Sequence, residues 1–137
     1  MILEGRVYKD GKFWLIEIPG LDALTQGHTR LEAIDMMSDY LESLFDSKAF
    51  KHRLILRDAS EKFFVETSPS SLVAAMVLKR QREKSGLSVR DVIRILGYKS
   101  TNSYTAYENG RREPSIGKME ELLRAVSKQD HIKLKLG

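Results

Sequence analysis

Between Leu78 and Leu123 the chain is punctuated in a way that admits only short helices joined by tight turns, with glycines at 86, 97 and 110 closing successive segments. Glycine takes positive φ without a Cβ clash, so it ends helices. A basic amphipathic helix is predicted to stop at Gly86. Ser88 is placed to cap a second helix over residues 89–96 by accepting a first-turn amide, and Gly97 ends it. A third helix is predicted over residues 102–109, capped by Ser100 or Thr101 and closed by Gly110. Tyr104 and Tyr107 lie three apart and share its buried face, while Asn102, Thr105 and Ala106 face elsewhere. Two short helices around a tight turn, followed by Arg111 and Arg112, suit docking in a DNA major groove.

These residues resemble the Cro/repressor (XRE) class of helix-turn-helix. The order of Gly86-Leu87-Ser88, Leu96-Gly97, Glu108-Asn109-Gly110 and Pro114-Ser115 before a last amphipathic helix carries the resemblance over roughly forty residues. It implies that Thr101, Asn102 and Thr105 face base edges with Ala106 beside them; Asn suits adenine, and Thr offers a hydroxyl or a methyl. It also implies that Ser100, Asn109, Arg111, Arg112 and Arg90 lie near phosphates, which fix register without reading sequence. Arg82 and Glu108 match positions that form an internal ion pair in this class. Three departures stand out: Val89 where a Gln is usual, Ile93 where a small Ala is usual, and a turn lengthened by Tyr98-Lys99. They shift how the third helix enters the groove and leave individual base contacts open.

Charge divides the chain at the same place. Residues 1–67 hold nine Lys/Arg against twelve Asp/Glu, a net of −3, whereas residues 68–137 hold fourteen against seven, a net of +7. An acidic half beside a basic half is the pattern of a nucleic-acid-binding domain joined to one with another partner. Lys79, Arg80, Lys84, Arg94 and Lys99 add to the positive field. With no cysteine, disulfides and thiol chemistry are excluded, and His28, His52 and His131 are too scattered for a metal site. No metal or cofactor is expected. No stretch approaches the roughly 20 apolar residues of a membrane span, and Met1-Ile2-Leu3-Glu4 does not open a signal peptide, so a cytoplasmic protein without a membrane partner is expected.

The amino-terminal half predicts an antiparallel sheet. Asp10-Gly11 between two extended runs signals a tight hairpin. In the second run Trp14, Ile16 and Ile18 alternate with Phe13, Leu15 and Glu17, which suits a central strand, and Phe13 and Trp14 are expected in the core. A short third strand is expected to lead to Thr25-Gln26-Gly27. Thr29 and Glu32 have capping-box spacing. The helix behind them carries an apolar stripe of Ile34, Met37, Leu41, Leu44 and Phe45. Strands follow at residues 53–58 and 62–67, with a turn at Ala59-Ser60-Glu61. The order β-β-(β)-α-β-β gives an α+β fold: a small antiparallel sheet with one covering helix, followed by an all-α helix-turn-helix domain.

Pro19-Gly20-Leu21, Thr25-Gln26-Gly27-His28-Thr29 and Glu32-Ala33 resemble the core of HicB antitoxins, whose β-β-β-α-β unit is a partial RNase H-like fold preceding a DNA-binding domain. The resemblance covers residues 1 to about 50 well. It implies an antitoxin that binds and masks a small HicA-type RNase toxin and represses its own operon on double-stranded operator DNA. Toxin-binding residues cannot be assigned. The alternative is an autonomous helix-turn-helix regulator whose first domain senses a ligand or dimerises. Catalysis is not expected, because Glu4, Glu17, Asp22, Asp35 and Glu66 form no convincing metal-binding constellation.

The predicted domains are a toxin-binding domain at residues 1–67, a helix-turn-helix domain at 68–130 and a terminal strand at 131–137. Ser68 and Pro69 are read as cap and first helical residue of the second domain. One recognition helix touches few bases, so a homodimer or larger assembly is expected. The alternating tail His131-Ile132-Lys133-Leu134-Lys135-Leu136 is the predicted dimer strand.

Overall fold

A computed structural model of the chain describes residues 1–58 and 60–133. Contacts separate two compact units, Met1–Val73 and Ala74–Gly137.

The first unit opens with β1 (Ile2–Asp10) and β2 (Phe13–Ile18), paired antiparallel with Asp10 opposite Phe13. The two-residue connection is therefore Gly11-Lys12 rather than Asp10-Gly11, and of these two only Gly11 has positive φ, at 60°. A left-handed residue in the first position alone is the II′ pattern, whose twist matches the flanking strands. A single 3-10 turn, Pro19–Leu21, leads into β3 (Ala23–Gly27). Then come α1 (Arg30–Phe45), β4 (Lys51–Leu56) and β5 (Lys62–Ser68). All pairings are antiparallel and the strand order is β3-β2-β1-β5-β4. This is the predicted α+β unit, with β2 flanked on both sides.

Register and alternation place Val7, Ile16, Ile18, Phe63 and Val65 on one face, all buried, and α1 packs there across β3, β2 and β1. Gly5 lies in the same face because there is no room for more: a Cβ there would stand 2.2 Å from Phe63 Cζ. Successive strand residues point to opposite faces. Trp14 is accordingly half-buried on the α1 side, while Phe13 is exposed on the other, so the two cannot share one core. The opposite face mixes Tyr8, Leu15 and Phe64 with cross-strand ion pairs: Arg6 to Glu17 at 3.7 Å, Lys62 to Glu4 at 3.3 Å and Arg53 to Glu66 at 2.6 Å.

At the start of α1, Thr29 Oγ1 accepts the Glu32 amide at 3.1 Å, as its spacing predicts. The Glu32 carboxylate, however, accepts the His28 amide at 3.2 Å, one residue before the cap. Ala33, Ile34, Met37 and Leu41 form the buried stripe. Leu44 and Phe45 are only half-buried, because the stripe runs out at the helix end, where Phe45 stacks on Phe50 with ring centroids 3.7 Å apart. That stack and a 2.8 Å hydrogen bond between Ser38 Oγ and His52 Nε2 anchor β4 two residues earlier than its pattern predicts. Ala59, in the predicted turn, lies outside the described residues.

The second unit is helical. α2 (Ser70–Lys84) contains the division between the units, and α3 (Val89–Leu96), α4 (Asn102–Glu108) and α5 (Ile116–Ser127) follow. β5 runs through Ser68, and Pro69 stands just before α2 with its carbonyl accepting the Val73 amide at 3.3 Å, so the cap lies one residue later than the sequence suggests. Leu78, Val92, Tyr104, Tyr107, Leu122, Ala125 and Val126 make the core. Residues 131–133 have no regular structure, and the rest of the predicted terminal strand, 134–137, lies outside the described residues.

Candidate nucleic-acid interface

The frame of the site is set by caps. Ser88 Oγ accepts the Asp91 amide at 3.1 Å while the Asp91 carboxylate accepts the Ser88 amide at 2.8 Å, a reciprocal capping box that starts α3. That backbone hydrogen bond from Ser88 is also the main reason the Asp91 carboxyl is held below its ordinary range. Gly97 ends α3 with φ 70°. Before α4 the choice between Ser100 and Thr101 resolves in favour of Ser100, whose hydroxyl accepts the Asn102 amide at 3.1 Å. Thr101 is already helical in backbone and makes no cap hydrogen bond. Gly110, with φ 72°, follows the last residue of α4 by two.

Inside this frame Tyr104 and Tyr107 are buried and fix the rotation of α4. At 100° per residue Asn102, Thr105, Ala106 and Asn109 stand opposite the two tyrosines in an i, i+3, i+4, i+7 stripe. Asn102 and Asn109 are exposed, Thr105 and Ala106 half-buried, and Thr101 borders the stripe beside Thr105. Four of the base-facing and flanking positions implied by the resemblance thus share one surface. Ser100 directs its hydroxyl oxygen at the helix start. Arg111 and Arg112 are exposed beyond Gly110, and the Arg112 guanidinium lies over the Tyr107 ring, 5.6 Å from its centroid. Arg90 stands on a different element, α3, exposed on the side away from Val92.

α4 is locked from behind by Arg82. Its Nε donates to Glu108 Oε2 at 3.0 Å and to Oε1 at 3.2 Å, and its Nη1 donates to the Leu87 carbonyl at 2.9 Å. Both side chains are largely buried, and the Glu108 hydrogen bonds raise the guanidinium pKa further. The Tyr104 hydroxyl is buried alongside without a hydrogen-bond partner of good geometry; burial first, and the nearby Glu108 carboxylate second, push its pKa up.

A network missed in the sequence ties the long turn to α5. The Tyr98 hydroxyl accepts from Lys118 Nζ at 2.9 Å and donates to Glu121 Oε1 at 3.2 Å, while Lys118 Nζ reaches Glu121 Oε2 at 2.9 Å. Only the i, i+3 spacing of Lys118 and Glu121 hinted at it. The Tyr98 and Glu121 partners raise the Lys118 pKa, and Lys118 lowers that of Glu121. Val89 and Ile93, the two departures from the pattern the sequence resembles, both pack against the core.

Among the described residues no group of histidines and carboxylates is arranged to hold a metal ion, and no helix is long and apolar enough to cross a membrane. None of the curated proteins matches this chain. Residues 74–128 match the helix-turn-helix domain family, and with the exposed stripe on α4 that match makes DNA binding the activity this unit implies.

Proposed function

We propose that the chain is a cytoplasmic HicB-type antitoxin with an XRE-type DNA-binding unit. It acts as a homodimer or larger assembly, represses its own operon on double-stranded operator DNA, and binds and masks a small HicA-like RNase toxin. It is not itself an enzyme and needs no cofactor. The observation that carries this reading is the joining, in one chain, of a β-β-β-α-β-β unit with a helix-turn-helix domain. The polarity of charge supports it: an acidic first half, net −3, is suited to a basic RNA-binding partner, and opposite potentials speed encounter and orient it. The sheet face away from α1, with Tyr8, Leu15 and Phe64 among its ion pairs, is the surface on which such a partner would be held.

Co-expression tests this directly. A neighbouring reading frame of a small basic protein should be toxic alone, neutralised by this chain and co-purified with it. If the neighbour is neither toxic nor bound, the antitoxin reading fails and the helix-turn-helix domain stands as that of an autonomous regulator.

A further inference from the structure

Beside α4, on the flank that carries Ser103, the second unit forms an open concavity. Three cations line it from three separate places: Lys99 from the turn before α4, Arg112 from the segment after it, and Lys118 from the first turn of α5. Two of them are positioned by aromatic rings. The Lys118 ammonium lies 5.4 Å from the Tyr98 ring centroid and donates to the Tyr98 hydroxyl, while Arg112 lies over Tyr107. Lys118 also donates to Glu121, which leaves one of its three N–H groups for another acceptor. Ser103 adds an exposed hydroxyl. Like charges gathered in one concavity repel, and a bound anion relieves that repulsion.

We propose that this concavity is a phosphate subsite that takes a phosphodiester of the DNA backbone bordering the groove α4 enters. It rests on the DNA-binding reading and extends it to Lys99, Ser103 and Lys118. An open site walled by ammonium, guanidinium and hydroxyl donors suits tetrahedral phosphate oxygens. Glu121 competes with the phosphate for Lys118, so this carboxylate restrains affinity while holding the cation in place.

The test is fluorescence anisotropy of the full chain with a mixed-sequence duplex over a salt series, with circular dichroism confirming that each variant is folded. Each neutralised phosphate contributes about 0.9 to the slope of log K against log salt. Lys118→Gln and Lys99→Gln are each expected to weaken binding and lower the slope, and because they serve one phosphate the two together by no more than about 0.9. Glu121→Gln is expected to tighten binding. Lys128→Gln, at the far end of α5, should leave the slope unchanged. If wild type binds but Lys118→Gln keeps its slope, or Glu121→Gln weakens binding as Lys118→Gln does, the network is structural and the subsite is overturned while DNA binding stands. If wild type does not bind duplex at low salt, both readings fall together.

Discussion

Arg82 holds both carboxylate oxygens of Glu108 from behind the exposed stripe of α4, with neither side chain more than about an eighth exposed. Removing one partner leaves the other buried and uncompensated, which costs about 3–5 kcal/mol. Arg82→Met and Glu108→Leu should each lower stability on that scale in urea unfolding followed by far-ultraviolet circular dichroism. The double variant should recover most of the loss, since an apolar pair of similar volume replaces the ion pair. If the double variant is as unstable as the sum of the singles, the pair is not what holds α4.

Asn102 faces away from the buried tyrosines, on the exposed stripe of α4. Asn102→Ala should cost about 1–3 kcal/mol of operator discrimination while mixed-sequence binding at low salt stays near wild type. Arg111→Ala should weaken both equally and flatten the salt slope by about 1. Competition gel shifts with operator and mixed-sequence duplex separate these outcomes; equal loss on both duplexes for Asn102→Ala would show that it does not read bases.

The Tyr104 hydroxyl is fully buried without a well-formed hydrogen bond. An unsatisfied buried polar group is a cost, and replacing it by carbon of the same shape is neutral or stabilising. Tyr104→Phe should therefore keep or raise the unfolding free energy, by up to about 1 kcal/mol. A clear loss in stability would mean that the hydroxyl is engaged with Glu108 or Arg82.

Gly5 sits where a methyl group would meet the Phe63 ring at 2.2 Å and the Glu17 carbonyl at 2.8 Å. Gly5→Ala overpacks the sheet and should cost about 1–3 kcal/mol. Trp14, the chain's one tryptophan, lies in the same unit and reports the transition by fluorescence. A Gly5→Ala, Phe63→Leu pair should regain part of the loss.

Two carboxyls of the helix-turn-helix unit are held below their ordinary ranges: Asp91, from 3.8, by the Ser88 amide, and Glu121, from 4.5, by Lys118. Depressed carboxyls contribute stability that is full above the unfolded values and lost as pH falls through the folded ones. The wild type should therefore lose stability progressively below pH 4.5. An Asp91→Asn, Glu121→Gln double variant, less stable at neutral pH, should lose less over that interval. Parallel pH profiles for the two proteins would refute the assignment.

The strongest local signals in the sequence were those of residues that act within one turn of themselves. Ser88, Gly97, Gly110 and the Thr29 cap could be read because capping and positive φ depend on neighbours three or four residues away. The two buried tyrosines of α4 followed from their spacing. The capping partner of Glu32 and the loop of the first hairpin each fell one residue from expectation, since register is set by the strand pair and not by the Asp-Gly dipeptide. The start of β4 and the Tyr98-Lys118-Glu121 network were illegible. They depend on Ser38, 14 residues from His52, and on Tyr98, 20 residues from Lys118, and no local pattern encodes such contacts. Phe13 lies outside the core for a simpler reason: hydrophobicity marks a core candidate, while alternation along β2 decides which face it joins.

α4 has seven residues, a rod roughly 10 Å long at about 1.5 Å per residue. Laid along bases stacked about 3.4 Å apart, its stripe spans roughly three base pairs. Three base pairs carry about six bits, an address that recurs about once in every 64 positions of random DNA, against roughly a million or more competing sites in a genome. One such rod is a short word, and a unique operator must be spelled with several of them.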